Sequence, residues 1–136
     1  MSARFYVATT LSNTDQAKIV IRRLSDFGHQ VSYDWTVHGK LTDPKLMLDV
    51  AVKELEGVVT SDCVVVLWPG MRGTHVEIGA ALATNKPIFF VTPTDFDADI
   101  SFYHHPNITR FDSLDKAIEV IHKSLSVFES AMQSDE

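Results

Sequence analysis

The chain has 136 residues, of which 45% are hydrophobic and 22% charged, and its formal net charge is −6. These proportions are typical of a soluble globular protein of one domain and disfavour a disordered chain. The acidic balance disfavours binding to a nucleic-acid polymer, because a phosphate backbone requires clustered Lys and Arg. No stretch approaches the roughly 20 apolar residues of a membrane span, and no leader peptide is evident, so we expect a cytoplasmic protein with no membrane partner.

Strands and helices are predicted to alternate along the chain. Runs rich in β-branched and aromatic residues predict five strands, at residues 4–9, 29–33, 63–68, 87–92 and 107–111. Amphipathic segments predict four helices, at residues 15–27, 45–59, 73–85 and 113–132. Ser12 or Asn13 is expected to cap the first helix and Gly28 to end it, and residues 36–44 are expected to form a polar loop.

This alternation predicts an α/β fold with a doubly wound, flavodoxin-like sheet. We expect five parallel strands in the order 2-1-3-4-5 with helices on both faces, in one domain over residues 1–132 and a disordered tail at 133–136. Ligands of such sheets bind beyond the carboxyl ends of the strands, where the strand order reverses. Four segments should therefore border one crevice: residues 9–13, 34–35, 68–77 and 92–95.

The most informative stretch joins the third strand to the third helix. A valine-rich run ends at Pro69 and Gly70, which break the strand, and Gly73 precedes the expected first turn of the helix. Thr74 and Glu77 have the spacing of a capping box, in which the two side chains satisfy backbone amides. The alternative is that Glu77 points into the crevice as a carboxylate nucleophile, kept ionised by the field at the helix N-terminus.

The same loop has the composition of an anion site. Gly70, Arg72 and Gly73 offer backbone amides and a guanidinium, which suit a phosphate, although the spacing matches neither a P-loop nor a dinucleotide motif. A solvated charge is the alternative reading of Arg72. The six histidines show no spacing with Cys or acidic residues that would define a metal site, so neither metal nor cofactor is expected.

Three segments carry a family resemblance: F-Y-V-A-T in the first strand, S-D-C-V-V-V-L in the third, and G-T-H-V-E-I-G-A-A-L in the helix that follows. They resemble the nucleoside 2-deoxyribosyltransferase family, which includes the 2'-deoxynucleoside 5'-monophosphate N-hydrolases. The resemblance implies that Glu77 attacks the anomeric carbon of a sugar, releases the base and forms a glycosyl-enzyme ester. Tyr6 would hydrogen-bond this carboxylate or the sugar. Glu54 stands where the family has an aspartate, and a solvated helix charge is its alternative reading.

The resemblance also bears on the substrate. Transferases of free nucleosides carry an acid six positions before the nucleophile, where this chain has Met71 followed by Arg72, so a 5'-phosphate is favoured over a 5'-hydroxyl. We therefore expect cleavage of nucleoside or deoxynucleoside 5'-monophosphates by water, with base exchange between deoxynucleosides, a non-catalytic nucleotide sensor or a structural subunit with a vestigial crevice as alternatives. Sugar or phosphate contacts are expected from Thr9, Thr10, Gly70, Arg72, Gly73, Thr74 and His75, and base contacts from Asp34 and Trp35.

Family members assemble so that the loop after the fourth strand reaches into a neighbour's site. The resemblance therefore implies at least a homodimer with shared active sites, in which part of residues 101–105 completes the partner's crevice.

Overall fold

Five consecutive buried residues form the central strand, β3 (Cys63–Leu67), of a parallel sheet. The structure, a computed structural model, describes residues 2–134. Strand β3 pairs on one side with β1 (Arg4–Ala8) and on the other with β4 (Ile88–Val91). A strand flanked in this way is covered on both faces, which explains its uninterrupted apolar sequence.

The remaining strands lie at the two edges of the sheet. Strand β2 (Gln30–Val31) pairs with β1, and β5 (Ile108–Phe111) pairs with β4, all in parallel. The order is therefore β2-β1-β3-β4-β5, which confirms the predicted doubly wound α/β fold. The chain order reverses between β1 and β3, so the carboxyl ends of these two strands mark the expected crevice.

Four α-helices flank the sheet. They are α1 (Thr14–Asp26), α2 (Pro44–Val59), α3 (Arg72–Ala83) and α4 (Leu114–Ser134). Helix α1 contacts α4, and α2 contacts α3, so each pair covers one face. Gly28 follows α1 with a φ of 94°, a conformation that glycine adopts without strain, as predicted for the end of this helix. No helix of the described chain combines the length and apolarity that crossing a membrane requires.

Two predicted boundaries differ at the edges of the molecule. Strand β2 has two residues rather than the five predicted, because it lies at the edge of the sheet and, within residues 2–134, pairs with β1 through Gln30 and Val31 alone. A 3₁₀ turn at Trp35–Val37 follows within the segment that we expected to be loop. Helix α4 continues through Ser134, so the predicted tail starts too early, and residues 135–136 lie outside the described residues.

The start of α3 is the most consequential difference. The helix begins at Arg72 with Met71 as its N-cap, and no side chain caps it, so the capping box expected from Thr74 and Glu77 is wrong. A Cβ added to Gly70 would lie 2.8 Å from the Thr74 methyl, so Thr74 packs directly over this glycine. This packing requires Thr74 to lie within the first turn of α3. Glu77, three residues later, therefore lies in the second turn.

Candidate active site

A cavity of about 210 Å³ lies beyond the carboxyl ends of β1 and β3, between α2 and α3. This is the position at which the strand order reverses, and therefore the crevice expected from the topology. Seven of the predicted site residues line the cavity: Thr9, Thr10, Trp35, Glu54, Gly73, Thr74 and Glu77. The fold therefore brings most of the predicted site together.

A buried hydrogen bond joins the first strand to the third helix at the cavity wall. The Tyr6 hydroxyl, on β1, donates to Oε2 of Glu77, on α3. Glu77 is 7% exposed and lines the cavity, whereas Tyr6 is 0% exposed and lies behind it. Since Oε2 is occupied by this bond, Oε1 is the Glu77 oxygen available to a ligand. The tyrosine thus orients the carboxyl group toward the cavity.

Burial sets the protonation of this pair. It raises the pKa of Glu77 from the usual 4.5 to about 8, against the effect of the Tyr6 hydrogen bond, which lowers it, while the nearby charge of Glu54 raises it further. Burial and the proximity of Glu77 also raise the pKa of Tyr6. The expected ionisation of Glu77 by the helix N-terminus is therefore wrong for the free protein. Glu77 lies in the second turn, and the helix field acts within the first.

Glu54 supplies a second carboxyl group from the opposite wall. It lies on α2 and lines the same cavity as Glu77. Burial raises its pKa, while the proximity of His38 lowers it. Two carboxyl groups at one cavity, of which Glu54 raises the pKa of Glu77, are an arrangement suited to acid and nucleophile roles. The reading of Glu54 as a solvated helix charge is therefore the weaker one.

Thr74 presents an unused hydrogen-bonding group to the cavity. Its side chain is 3% exposed, and Oγ1 is buried without a hydrogen-bond partner among the described residues. A buried hydroxyl in this state is destabilising by about 1–3 kcal/mol unless a ligand or a water satisfies it. Thr74 is one helical turn before Glu77, so both side chains lie on one face of α3.

Two other predicted contacts hold the walls of the cavity. Thr9 Oγ1 donates to the Leu67 carbonyl at 2.8 Å and accepts from Asn13 Nδ2 at 3.1 Å, which ties the end of β1 to the end of β3. Trp35 Nε1 donates to the Val7 carbonyl at 2.7 Å, so the indole is fixed with its ring at the cavity.

Besides Tyr6, four predicted site residues lie outside the cavity lining. Asp34 accepts from the Thr36 amide at 2.9 Å and caps the 3₁₀ turn. Gly70 makes room for the Thr74 methyl. His75 lies between the Met71 carbonyl and the Tyr103 hydroxyl, each 2.7 Å from a ring nitrogen. Arg72 is exposed at the start of α3 and has no ion-pair partner in the described part of the chain.

Sequence reasoning missed several residues of the lining. They are His38, Gly39, Leu41 and Val50, whereas Leu11 and Met71 lie in segments that were expected to border the crevice. Val50 precedes Glu54 by four residues on α2, and this spacing could have revealed it. The residues from His38 to Leu41 belong to the segment predicted as polar loop, where no periodic pattern gives a signal. In residues 2–134, no group of three or more His, Cys, Asp or Glu side chains is arranged to hold a metal ion.

Solved structures with the same fold include two enzymes of nucleoside chemistry. A CMP N-glycosidase from Clostridium botulinum is 17% identical, with a TM-score of 0.58 over 87% of this chain and 97% of that one. A 2-deoxyribosyltransferase from Bacillus psychrosaccharolyticus is 20% identical, with a TM-score of 0.65 over 85% and 90%. A conserved protein from Enterococcus faecalis is 17% identical, with a TM-score of 0.66 over 92% and 100%. No curated protein matches the chain.

The sequence matches a family as well as a fold. A model of the family described as nucleoside 2-deoxyribosyltransferase matches residues 5–123, a span that runs from β1 into α4 and includes Tyr6, Glu54 and Glu77. The chain therefore belongs to the nucleoside 2-deoxyribosyltransferase family, and the protein is an enzyme of deoxyribosyltransferase or N-glycosidase type.

Proposed function

We propose that the protein hydrolyses the N-glycosidic bond of 2'-deoxynucleoside 5'-monophosphates, with Glu77 as nucleophile, and releases the free base. The observation that carries this proposal is the Tyr6 to Glu77 hydrogen bond at the wall of the cavity, which leaves one carboxyl oxygen directed at a ligand. The fold shared with the CMP N-glycosidase, whose name specifies a nucleoside monophosphate, supports the 5'-monophosphate part of the proposal.

The first step transfers the sugar to the enzyme. Glu77 Oε1 forms a bond with C1' of the sugar, the bond between C1' and the base nitrogen breaks, and its electron pair stays with the base. Glu54 donates the proton that the departing base requires. Because the attack displaces the base from the opposite face, the product is a glycosyl ester of Glu77 with inverted configuration.

The second step returns the enzyme to its initial state. Glu54, now ionised, accepts a proton from a water molecule, whose oxygen attacks C1'. The ester bond to Glu77 breaks and the carboxylate leaves, so two inversions give net retention. Tyr6 donates to the Glu77 carboxylate at the start and at the end of this cycle, which stabilises the charged form of the nucleophile.

The raised pKa of Glu77 adds a protonation step. With a pKa of about 8, Glu77 is largely neutral at pH 7 in the free protein. This proton must pass to water before the carboxylate can attack. The buried charge that then forms is poorly solvated and therefore a stronger nucleophile than a carboxylate in water.

The N-terminus of α3 supports recognition of a 5'-phosphate. Gly73 and Thr74 line the cavity in the first turn of the helix, where backbone amides lack helical partners and favour an anion. The unpartnered Thr74 hydroxyl is shielded from solvent, so it can donate to the same group only after the side chain turns toward the cavity. Arg72 stands beside them without an ion pair among residues 2–134, so its guanidinium is free to turn toward a bound phosphate.

We also propose that the active enzyme is a homodimer with shared sites in the cytoplasm. The cavity, at about 210 Å³, is smaller than the roughly 300–1,000 Å³ of a complete small-molecule site. Exposed apolar side chains follow one face of α2 at helical spacing, and an unpartnered stripe of this kind marks a protein interface. They are Leu48, Val52, Leu55 and Val59. Phe102 is 64% exposed and available to a partner, whereas Tyr103 is buried in its own chain.

Glu77→Gln tests the nucleophile. Glutamine keeps the size of the side chain and can accept the Tyr6 hydrogen bond, but it cannot form the glycosyl ester. We expect base release from deoxynucleoside monophosphates, followed by chromatography, to fall on the order of 10³-fold or more. The same change at Glu56, an exposed residue of α2, should leave the rate unaltered. A Glu77→Gln enzyme with wild-type turnover would remove Glu77 from the mechanism.

Thermal unfolding against pH shows that Glu77→Gln is folded and reports the protonation of Glu77. A folded-state pKa of about 8, raised above the unfolded 4.5, means that stability is fully present below pH 4.5 and is lost as pH rises through 8. Glutamine does not ionise, so the variant should gain stability relative to wild type as pH rises across this window. A constant difference between the two proteins would contradict the raised pKa.

A substrate panel tests the monophosphate. We expect deoxynucleoside 5'-monophosphates to have a higher kcat/KM than the matching deoxynucleosides, and Arg72→Ala to reduce this ratio about tenfold, equivalent to about 1.4 kcal/mol of a charge-assisted contact. Arg22→Ala removes an exposed charge from α1 and should leave the ratio unaltered. If free nucleosides react faster and exchange their base with an added one, the protein is a transferase, as the family name and the Bacillus structure describe.

Light scattering at micromolar concentration tests the dimer. We expect the mass of two chains for wild type and of one chain for Leu48→Glu, because the charge would be buried twice in a symmetric interface. Leu48 is 68% exposed in the monomer, so the fold should tolerate the change. Val127, on α4, is 70% exposed, and Val127→Glu should remain dimeric. A monomeric wild type with full activity would exclude a shared site.

A further inference from the structure

Gly57 lies where α2 packs against Tyr6 of the first strand. It is one helical turn after Glu54 and is buried, and its carbonyl accepts a hydrogen bond from Ser32 Oγ at 2.7 Å. The hydrogen bond to the Gly57 carbonyl holds this turn of α2 against Ser32, which follows β2. Gly57 does not line the cavity of the site. Its burial is therefore a matter of packing between α2 and the residues beneath it.

No side chain fits at this position. A Cβ added to Gly57 would lie 2.9 Å from Tyr33 Cβ, 3.0 Å from Tyr6 Cδ2 and 3.1 Å from Tyr6 Cε2. Neither neighbour can withdraw easily, since the Tyr33 atom is attached to the backbone and the Tyr6 ring is 0% exposed. A methyl group would therefore move the Tyr6 ring, or α2, by several tenths of an ångström.

Either movement would reach the catalytic groups. The ring edge that faces Gly57 belongs to the tyrosine whose hydroxyl donates to Glu77. Because the ring is rigid, a displacement at Cδ2 and Cε2 is carried to the hydroxyl oxygen. Movement of α2 would instead withdraw Glu54 from the wall opposite Glu77. Gly57, which has no side chain, thus influences the geometry of the Tyr6 hydroxyl and of the Glu54 and Glu77 carboxyl groups.

We propose that Gly57 is a positioning residue: because it has no side chain, the Tyr6 ring lies against the backbone of α2 and its hydroxyl reaches Glu77. Glycine in the interior of a helix is destabilising relative to alanine. A close approach of the Tyr6 ring gives a reason for its presence here. The catalytic consequence rests on the proposed function, whereas the effect on the Glu77 carboxyl group does not.

Gly57→Ala tests the proposal without substrate. The ¹³C resonance of the Glu77 side-chain carboxyl, assigned by its absence in Glu77→Gln, is titrated in the free protein. The Tyr6 hydrogen bond lowers the pKa of Glu77, so its loss should move the titration to higher pH in Gly57→Ala and, in the same direction, in Tyr6→Phe. Val20→Ala, which removes buried volume from α1, is the destabilised control and should leave the titration in place.

Base release gives the second readout. We expect kcat/KM to fall at least tenfold in Gly57→Ala, and the acidic limb of its pH profile to move to higher pH. In a Tyr6→Phe background, Gly57→Ala should lower kcat/KM by a clearly smaller factor than in the wild-type background, because the hydrogen bond from residue 6 to Glu77 is already absent. Equal effects in both backgrounds would overturn the proposal. A wild type without activity would refute the proposed function and leave the carboxyl titration as the test of Gly57.

A variant too unstable to measure is replaced by a compensated one. Tyr33→Gly removes the Cβ that lies 2.9 Å from the added methyl, so Gly57→Ala combined with Tyr33→Gly retains the contact with Tyr6 alone. Relative to Tyr33→Gly alone, the double variant should titrate Glu77 at higher pH, as Gly57→Ala does relative to wild type. A titration that coincides with that of the Tyr33→Gly reference would contradict a positioning role for Gly57.

Discussion

The hydrogen bond from Tyr6 to Glu77 is the interaction on which the rest of the site depends. It joins β1 to α3 across the point where the strand order reverses, and it is enclosed by core side chains that also belong to the fold. A carboxyl group is rarely buried without a partner, because desolvation penalises its charged form. Here one phenol is the hydrogen-bond partner, and the rest of the carboxyl group faces the cavity.

Burial and charge oppose each other at Glu77, and this opposition is informative about function. A group whose only role was structural would be more stable as glutamine, which has no charge to desolvate. Retaining an ionisable group with a pKa of about 8 in such a place lowers stability as pH rises from 4.5 through 8, and perturbed groups of this kind concentrate at active sites. The Thr74 hydroxyl, one turn earlier, also lowers stability, because among the described residues it has no hydrogen-bond partner and only a ligand or a water could supply one.

Much of this arrangement follows from the sequence, and the rest depends on contacts between distant segments. The valine run of β3 and the glycine after α1 determine their own structures locally, so both were predictable. The start of α3 was not, since it depends on the Thr74 methyl packing over Gly70. The loop around His38 gave no signal, because it is not periodic. From the sequence alone, Gly57 is recognisable only as a residue that weakens a helix. Its proximity to Tyr6 depends on the packing of α2 against β1.

The most direct test of the account is to trap the intermediate on Glu77. A deoxynucleotide with fluorine at C2' destabilises the positive charge at C1' and so slows both steps, which allows the ester to accumulate before an acid quench. Mass spectrometry of the digested protein should then find the sugar phosphate on the peptide that contains Glu77, and on no peptide of Glu77→Gln. A sugar attached elsewhere, or base release without any adduct while substrate remains, would contradict Glu77 as the nucleophile.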